Sequence, residues 1–261
     1  MVKLSVVVVS MNSEKHIQRA ISSLESQTFK DFEVVFIDAV SKDKTLDIIN
    51  ASNLNKVVIS EKDKGIYDAM NKGVNNSSGE VIYFLNTDDY VSNEFVFEKA
   101  MKAFKEDTAL MHGSTSVHRD GKTIDYFFKF NIDNLVAGKF PAQQCIFYSK
   151  DMLKELGLFN IKYRLAADFD MLCRINVFVK EHECSVVELP FSIGYLTPGG
   201  ASAVGNLGEI ELSSVIREYY GDIPYVCWLF PKRIKTFFRN ILAKTNTLEW
   251  YRTNISKKRG I

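Results

Sequence analysis

Short, unbroken apolar runs alternate with amphipathic segments through the first hundred residues of the chain. Four of the runs are rich in β-branched and aromatic residues and lack polar alternation, which is typical of strands buried on both faces of a parallel sheet. They lie at 3–9, 32–37, 56–60 and 81–85. Between them, apolar positions recur at helical spacing and predict helices at about 14–27, 44–51 and 66–76. The order βαβαβαβ predicts a parallel sheet with right-handed crossovers.

The hydrophobic pattern becomes less regular after residue 105. We interpret this half as a mixed, partly antiparallel extension of the same sheet, with strands on either side of an Asp120-Gly121 turn signal. The predicted elements are a helix from Asn93 to about 105, strands at 110–117, 124–130, 143–148 and 185–189, and helices at 150–156 and 164–179. Residues 131–141 lack a pattern, and 195–208 form either a loop that orders over substrate or a plain linker. The predicted fold class is α/β, with a mixed, mainly parallel central sheet flanked by helices and a helical C-terminal extension.

The composition changes near residue 221. Residues 232–261 carry nine Lys and Arg and one Glu, a net charge of +8, so the +1 of the whole chain leaves −7 for the rest. Basic and aromatic residues interleave at helical spacing over 224–244, which predicts either peripheral contact with an anionic membrane or a helix packed on the domain. Because the remainder is acidic and lacks a recognition motif, we do not expect a nucleic-acid partner.

Other features bear on where the protein works. No apolar stretch approaches the roughly 20 residues of a membrane-spanning helix, and the first apolar run is too short for a secretion signal. The four cysteines have no paired metal-ligand spacing, as expected of reduced residues in a cytosolic protein. Together with the basic extension, these features predict a cytoplasmic protein at the inner face of the cell membrane.

Polar side chains follow the predicted parallel strands where the strands end. They are Ser10 and Asn12 after the first strand, Asp38 after the second, Glu61 and Asp63 after the third, and Asp88 and Asp89 after the fourth. Ligands of such sheets bind outside the carboxyl ends of the strands, so this convergence favours a nucleotide or metal site. The adjacent carboxylates of Asp88 and Asp89 repel each other, and a divalent cation relieves that repulsion; an ordinary solvated turn is the alternative. The chain has neither a P-loop nor a GxGxxG motif after the first strand.

A further carboxylate, Asp168, lies near the start of the predicted helix at 164–179. The helix dipole favours a carboxylate at this position. Two interpretations remain open, a base poised in a cleft or a residue that caps the helix. Asp170 and Arg174 are four residues apart, which predicts an ion pair on the helix surface rather than a pair of catalytic groups.

Several of these segments resemble the family 2 glycosyltransferases, a large inverting group with the GT-A fold, and especially its bacterial polysaccharide-building members. The longest is SEKDKGIYDAMNKGVNNSSGEVIYFLNTDD at 60–89. The segments SVVVVSMN, FIDAVSKDKT, PAQQCIFYSKDMLKELGLF and LAADFDMLCR occur in the family's order, so the resemblance covers about residues 3–180.

The resemblance implies a GT-A domain at 1–220, with a nucleotide-binding half at 1–105 and an acceptor-binding half at 106–220, followed by the basic extension at 221–261. The implied reaction moves a sugar from a nucleotide diphosphate sugar, with a UDP-sugar expected, to a lipid-linked or oligosaccharide acceptor in cell-surface polysaccharide synthesis. The residues implied to line the nucleotide pocket are Ser10, Asn12, Asp38, Asp63, Asn71 and Thr87. Mn²⁺ or Mg²⁺ would bind at Asp88 and Asp89, with Asp88 as the main ligand. Asp168 would be the general base, and a single displacement would invert the anomeric centre.

The chain departs from the family pattern on the donor side. Met11 stands where Tyr is usual, Ala39 and Val40 stand where two glycines are usual, and Asn86 replaces the first Asp of the DxD motif. Other classes of protein also have a nucleotide-binding α/β half. A nucleotidyltransferase would show a glycine-rich basic loop where this chain has SMNSEKH. A non-catalytic nucleotide-sugar-binding domain is the second alternative, and a receiver-like module would leave the Asp168 region unexplained.

Overall fold

The computed structural model describes residues 2–119, 121–197 and 207–222. Within these ranges nine strands form one mixed sheet flanked by helices, and the predicted α/β fold class is confirmed. The strands are β1 (Leu4–Ser10), β2 (Phe32–Asp38), β3 (Lys56–Ser60), β4 (Val81–Asn86), β5 (Tyr90–Val91), β6 (Thr108–Arg119), β7 (Lys122–Tyr126), β8 (Ile146–Ser149) and β9 (Ser185–Tyr195). The helices are α1 (Ile17–Glu25), α2 (Thr45–Ala51), α3 (Ile66–Asn75), α4 (Val96–Ala103), α5 (Ile132–Val136), α6 (Lys150–Glu155), α7 (Ala167–Glu181) and α8 (Leu207–Tyr220).

The first half of the sheet is parallel, as the alternation of strands and helices predicts. The strands β3, β2, β1 and β4 lie side by side in that order. Ser10 at the end of β1 is in register with Asp38 at the end of β2, and Val9 is in register with Asn86 at the end of β4. The carboxyl ends of these strands therefore meet at one edge of the sheet, where the polar residues were expected to converge.

The second half of the sheet is mixed. The order continues β8-β6-β9-β5, and β7 pairs with β6 beyond the end of β8. β8 is antiparallel to both β4 and β6, whereas β9 is parallel to β6. The change from parallel to antiparallel pairing at β4 and β8 confirms the predicted extension of one sheet.

Two apolar cores cover the two faces of the sheet. Helices α1, α2 and α4 pack on one face, and α3, α5, α6, α7 and α8 pack on the other. A Cβ added to Gly73 of α3 would lie 2.2 Å from Cγ1 of Val7, so glycine is needed for α3 to approach β1 this closely. This close approach fixes α3, which carries Tyr67 and Asn71, against the parallel strands.

The predicted elements need correction mainly after residue 105. The strand expected at 124–130 is wrong beyond Tyr126, where β7 ends, and the strand expected at 143–148 begins as a 3₁₀ turn at Gln143–Cys145. The segment 131–141, which has no regular pattern, contains the short helix α5, and β9 runs on to Tyr195. Short elements such as these are fixed by their packing, because a few residues are too few to show a period.

Both ends of the expected loop at 195–208 belong to regular elements, because β9 includes Tyr195 and α8 begins at Leu207. Residues 198–206, Asp120 and 223–261 lie outside the described residues. The turn at Asp120-Gly121, the loop itself and the basic amphipathic segment at 224–244 therefore stay predictions, as do the domain boundaries. None of the helices in the described ranges has the length and apolar composition that a membrane crossing requires.

Asp170 and Arg174 form the predicted ion pair, but its predicted position on the surface is wrong. The side chain of Asp170 is 1% exposed, and its Oδ2 accepts hydrogen bonds from Nε (3.0 Å) and Nη2 (2.8 Å) of Arg174. The Tyr219 hydroxyl donates to the other carboxylate oxygen at 3.1 Å. The pair is buried because α8, a helix missed in the sequence pattern, packs over α7.

A buried histidine gives the fold a testable dependence on pH. His112 lies on β6 with its ring stacked on Phe127 at 5.4 Å between centroids, and neither ring nitrogen has a hydrogen-bond partner in the described structure. Burial lowers the pKa of His112 to about 4, so the unfolded chain binds a proton more readily than the folded chain between pH 6.5 and about 4. We expect His112 to cost up to about 3 kcal/mol of stability as the pH falls through this window.

Urea unfolding at pH 7 and pH 4.5 measures this effect. The variant His112→Phe keeps the aromatic contact and removes the titrating group, so its stability should fall less between the two pH values. His118→Phe, an exposed position on the same strand, is the matched control and should follow the parent protein. Equal losses in all three proteins would contradict the assignment to His112.

Candidate active site

Asp38 is a fully buried carboxylate at the end of β2 that joins neighbouring strand ends. Its Oδ1 accepts hydrogen bonds from the hydroxyls of Ser10 (3.1 Å) and Ser41 (2.5 Å). Its Oδ2 accepts from the hydroxyl of Ser60 (2.8 Å) and the backbone N–H of Ser41 (2.9 Å). These donors replace the water lost on burial. The structure thus brings Ser10 and Asp38 together at the carboxyl edge of the sheet, and their contact with a nucleotide stays a prediction.

The loops that follow β1 and β2 interlock beside Asp38. The backbone N–H of Asn12 donates to Ser41 Oγ, and Asn12 Oδ1 accepts from the backbone N–H of Lys42, both at 2.8 Å. Asn12 and Val40 both have left-handed backbones, with φ of 49° and 55°. That conformation is rare for a β-branched residue and costs about 1–2 kcal/mol. Val40 stands at one of the positions where the resembling family has glycine, so the loop holds a glycine-like backbone under strain.

Asp63 and Asn71 are placed around α3, and both have backbone partners. Asp63 Oδ1 accepts from the backbone N–H of Gly65 at 2.8 Å and stabilises the turn that begins the helix. Asn71 Nδ2 donates to the carbonyl of Phe159 at 2.8 Å, while Asn71 Oδ1 accepts from the N–H of Phe159 at 2.9 Å. Asn71 therefore ties the segment before α7 to α3, and its predicted place in the nucleotide pocket is not tested by these contacts.

In the loop after β4, Asp88 accepts hydrogen bonds through its backbone carbonyl and Asp89 accepts them through its carboxylate. The carbonyl of Asp88 accepts hydrogen bonds from Nη2 of Arg19 (2.7 Å) and from the hydroxyl of Thr197 (2.6 Å). Asp89 Oδ1 accepts from the N–H of Thr197 at 2.9 Å, and Asp89 Oδ2 accepts from Nδ2 of Asn86 at 3.4 Å. Thr197, directly after β9, thus fixes the backbone of one aspartate and the carboxylate of the other.

The two neighbouring aspartates differ in environment. The pKa of Asp89 is raised to about 6, mainly by burial and also by the charge of Asp88, against the opposing effect of the hydrogen bond from Thr197. The side chain of Asp88 is partly exposed, and its carboxylate accepts no hydrogen bond from the described residues. Thr87, between Asn86 and Asp88, donates its hydroxyl to Ser13 Oγ at 3.0 Å and joins this loop to the loop after β1. Asp88 is therefore the carboxylate available to a ligand.

The residues around Asp88 fit a metal ion that arrives with a nucleotide. Within 2–119, 121–197 and 207–222, no three His, Cys, Asp or Glu side chains form a ready-made metal site. Asn86 Oδ1, beside Asp88, is buried without a hydrogen-bond partner in the same ranges. Mg²⁺ commonly binds one or two carboxylates and takes its other ligands from substrate phosphates and water. One open carboxylate and one unpartnered amide oxygen are a suitable donor set for such a shared ion.

Asp168 lies in the first turn of α7, and one of its carboxylate oxygens is already held. Oδ1 accepts hydrogen bonds from the N–H of Phe169 (2.8 Å) and the hydroxyl of Tyr67 (3.0 Å). The side chain is partly exposed, and no described residue donates a hydrogen bond to Oδ2. Burial raises the pKa of Asp168, while the hydrogen bonds from Phe169 and Tyr67 act in the opposite direction. A fixed, partly desolvated carboxylate with one free oxygen has the properties of a general base.

The hydrogen bond from Tyr67 shows where Asp168 lies relative to the sheet. Tyr67 is the second residue of α3, and α3 follows the carboxyl end of β3 after a short loop. The hydrogen bond between Tyr67 and Asp168 therefore places the candidate base at the same edge of the sheet as the loop that carries Asp88. Asp38, Asp88 and Asp168 come from distant parts of the sequence and converge at this edge through the topology of the sheet.

The helix α8, missed in the sequence pattern, supports the candidate base. The Glu211 carboxylate accepts hydrogen bonds from the backbone N–H groups of Arg164 (3.0 Å), Leu165 (2.7 Å) and Ala166 (3.1 Å), just before α7 begins. It thereby fixes the turn that precedes the helix whose first turn carries Asp168, and it places a negative charge near the N-terminus of that helix. A signal for α8 was present, since apolar residues recur at helical spacing at Leu212, Val215, Ile216 and Tyr219.

Comparison with known proteins agrees with this architecture. A family model described as glycosyl transferase family 2 matches residues 5–157. A PGL/p-HBAD biosynthesis glycosyltransferase of Mycobacterium tuberculosis is 31% identical over 176 residues, which cover 65% of this chain and 68% of that protein. The chain belongs to glycosyltransferase family 2, and it is a glycosyltransferase, as its motifs predict.

Solved structures confirm the GT-A fold. The structure of Staphylococcus aureus TarS 1–349 in complex with UDP-GlcNAc has a TM-score of 0.67 at 20% identity, covering 87% of this chain and 71% of that one. A mannosyltransferase from Pyrobaculum calidifontis in complex with GDP-Man and Mn²⁺ has a TM-score of 0.59 at 15% identity, covering 94% and 83%. The chain spans 39% of the longer TarS structure. At these identities the likeness describes the fold alone.

Proposed function

We propose that this glycosyltransferase moves a sugar, with inversion, from a UDP-sugar to a hydroxyl of a lipid-linked or glycan acceptor used in cell-surface polysaccharide synthesis. The observation that carries the proposal is the hydrogen bond from Tyr67 to Asp168, which sets a carboxylate with one free oxygen at the edge of the sheet where Asp88 lies. Two relatives, the PGL/p-HBAD biosynthesis glycosyltransferase and a poly(ribitol-phosphate) beta-N-acetylglucosaminyltransferase, support an acceptor of the cell surface.

The donor would bind across the carboxyl ends of β1, β2 and β4, within the half formed by residues 1–105. The residues proposed to line its site are Ser10, Asn12, Asp38, Asp63, Asn71 and Thr87. Asp38 is held rigidly by Ser10, Ser41 and Ser60, which suits a group that positions the base and ribose. The UDP-GlcNAc complex of TarS supports UDP as the nucleotide.

Asp88, with the unpartnered oxygen of Asn86 beside it, would hold Mn²⁺ or Mg²⁺ on the diphosphate. Such an ion, when bound, stabilises the negative charge that develops on the departing nucleotide. The Mn²⁺ in the mannosyltransferase complex supports this proposal. Asp89, whose carboxylate is bonded to Thr197 and Asn86, would shape the loop beside the ion.

Asp168 would remove the proton from the acceptor hydroxyl through its free oxygen. The hydroxyl oxygen then forms a bond to the anomeric carbon from the face opposite the nucleotide, and the bond from that carbon to the diphosphate oxygen breaks. One base and one displacement give inversion, so no covalent enzyme intermediate is needed. The acceptor would occupy the half formed by 106–220, and the basic segment 224–244 would hold the enzyme at the inner face of an anionic membrane.

A thermal-shift panel of UDP, GDP, TDP and CMP, each with and without Mn²⁺, tests the donor proposal. At about 100 times its dissociation constant, UDP with Mn²⁺ should raise the Tm by about 5 °C, because it binds the folded chain and not the unfolded one. The other nucleotides should raise it less. If none of the four changes the Tm, the proposed donor site is wrong.

A further inference from the structure

A concave surface lies at the β6–β7 hairpin. It is a cavity of about 520 Å³ between the β6–β7 hairpin and the segment that leads to β8, and it is called the hairpin groove below. Its lining residues are Thr115, Val117, Arg119, Tyr126, Phe128, Phe140, Ala142 and Leu196. None of them belongs to the set proposed above for donor, metal or base. A volume of this size is typical of small-molecule sites.

Two walls of the hairpin groove are formed by residues that connect to the elements carrying the candidate site. Phe140, in its wall, contacts the ring of Phe169 at 4.9 Å between centroids, and Phe169 is the neighbour of Asp168. Leu196, in another wall, directly precedes Thr197, which donates hydrogen bonds to both Asp88 and Asp89. These contacts connect the walls of the groove to α7, whose first turn carries Asp168, and to the segment that holds the loop proposed to bind the metal.

Because β6 pairs with β7, side chains of different polarity lie on the two faces of the hairpin. Thr115 is in register with Tyr126, so both lie on one face and line the groove with Val117. The opposite face carries polar groups that bond to each other, as Ser116 does with Asp125 at 2.5 Å. The alternation of side chains along the strands thus leaves the groove with mainly carbon surface. Part of this surface is open to solvent, since Tyr126 is 40% exposed and Leu196 is 37% exposed.

This lining distinguishes between two kinds of acceptor. Each glycan hydroxyl that enters the groove would lose hydrogen bonds to water, and of the eight lining side chains only those of Thr115, Arg119 and Tyr126 carry polar groups that could replace them. An alkyl or aryl group loses nothing of this kind and gains by leaving water. The chemistry of the walls therefore favours an apolar ligand over a second sugar.

We propose that the hairpin groove binds an apolar portion of the acceptor, alkyl or aryl, close to the hydroxyl that Asp168 deprotonates. The inference rests on the proposed function, since it places the acceptor of that reaction. It narrows the acceptor class to molecules whose reacting hydroxyl lies near an apolar group, and it makes the hairpin a determinant of acceptor specificity.

Two probes that share a sugar and differ in their apolar part test the inference. Octyl β-D-glucoside, kept below its micelle-forming concentration, and methyl β-D-glucoside are titrated into the full chain with UDP and Mn²⁺ present. Binding is followed by saturation-transfer NMR. We expect the octyl compound to bind at least about tenfold more tightly, because its chain leaves water. Equal binding of the two probes would overturn the inference.

Variants of one strand show whether the octyl group occupies the hairpin groove. Tyr126→Ser should reduce the preference for the octyl probe to within about threefold. Ile124→Ser is the matched control: Ile124 lies on the same face of β7, in register with Val117, and is 38% exposed, but it is not part of the lining. Ala142→Phe, which fills the groove, should act like Tyr126→Ser. If the preference for the octyl probe is unchanged in Tyr126→Ser and Ala142→Phe, the octyl group binds elsewhere on the protein and the proposal is contradicted.

The remaining outcomes separate this inference from the proposed function and from a competing occupant. If UDP stabilises the protein but the two glucosides bind equally, only the inference about the hairpin groove is contradicted. If UDP does not stabilise the protein, the proposed function is contradicted. Both tryptophans of the chain, Trp228 and Trp250, lie in the C-terminal segment. If Ala142→Phe shifts the tryptophan emission of the ligand-free protein, that segment occupies the groove and the inference is overturned.

Discussion

Replacing Asp168 with asparagine is expected to lower the rate of sugar transfer by about 10²–10⁴-fold while leaving donor binding nearly unchanged. Asparagine has the same shape and can still accept the hydrogen bonds from Phe169 and Tyr67 through Oδ1, so α7 should begin as before. It cannot take a proton from the acceptor. Steady-state kinetics with a UDP-sugar and an octyl glycoside would show the fall in kcat, and UDP-induced stabilisation would show that the donor site is intact.

Asp151→Asn is a matched control for that variant. Asp151 is also an aspartate in the first turn of a helix, α6, but it is exposed and outside the candidate site. Its replacement should leave kcat within about twofold of the parent value. Transfer by Asp168→Asn at a rate within a few-fold of the parent would show that Asp168 only caps the helix.

The hydrogen bond from Tyr67 allows a second test of Asp168 as the base, through the pKa of its carboxylate. It lowers the pKa of Asp168, against the larger raising effect of burial. Tyr67→Phe removes that hydrogen bond, so the pKa of Asp168 should rise. Since the base works when deprotonated, the acidic limb of the profile of kcat against pH should move to higher pH in Tyr67→Phe. An unchanged limb would show that another group controls the profile.

The parallel half of the fold could be predicted because its signals are local and repeated. The runs that became β1, β2, β3 and β4 are short, apolar and separated by clear helical periods. Once the strands are parallel, the position of Asp38 and Asp88 at the ends of β2 and β4 follows from topology alone. The convergence of these residues at one edge therefore needed no knowledge of the side-chain contacts.

The sequence pattern could not show which oxygen atoms are free. Asp88 and Asp89 are adjacent and chemically identical, yet Thr197, more than one hundred residues away, engages the carboxylate of Asp89 and leaves that of Asp88 open. The burial of Asp170 likewise depends on Tyr219 from α8. Partners this distant in sequence are fixed by packing, and neither periodicity nor spacing reports them.

The difference between the two aspartates leads to a prediction about metal binding. Asp88→Asn should weaken Mn²⁺ binding in the presence of UDP by about 100-fold and lower transfer by at least as much, because a charged oxygen ligand is lost. Electron paramagnetic resonance of free Mn²⁺ measures the binding without any need for turnover. The Tm of the metal-free protein should change little, since no described residue donates a hydrogen bond to the Asp88 carboxylate.

Asp89→Asn is the informative comparison, because it makes the same chemical change at the next residue. The new amide can still accept the hydrogen bond from Thr197 through Oδ1, but its NH₂ group then faces the NH₂ group of Asn86, where the carboxylate had accepted at 3.4 Å. The hydrogen bond lost at Asn86 is opposed by removal of a buried charge, so we expect a small change in stability and a smaller effect on Mn²⁺ affinity than in Asp88→Asn. If Asp89→Asn weakened Mn²⁺ binding more than Asp88→Asn did, the buried carboxylate would be the main metal ligand, and the bonds to Thr197 and Asn86 would have to break when the nucleotide binds.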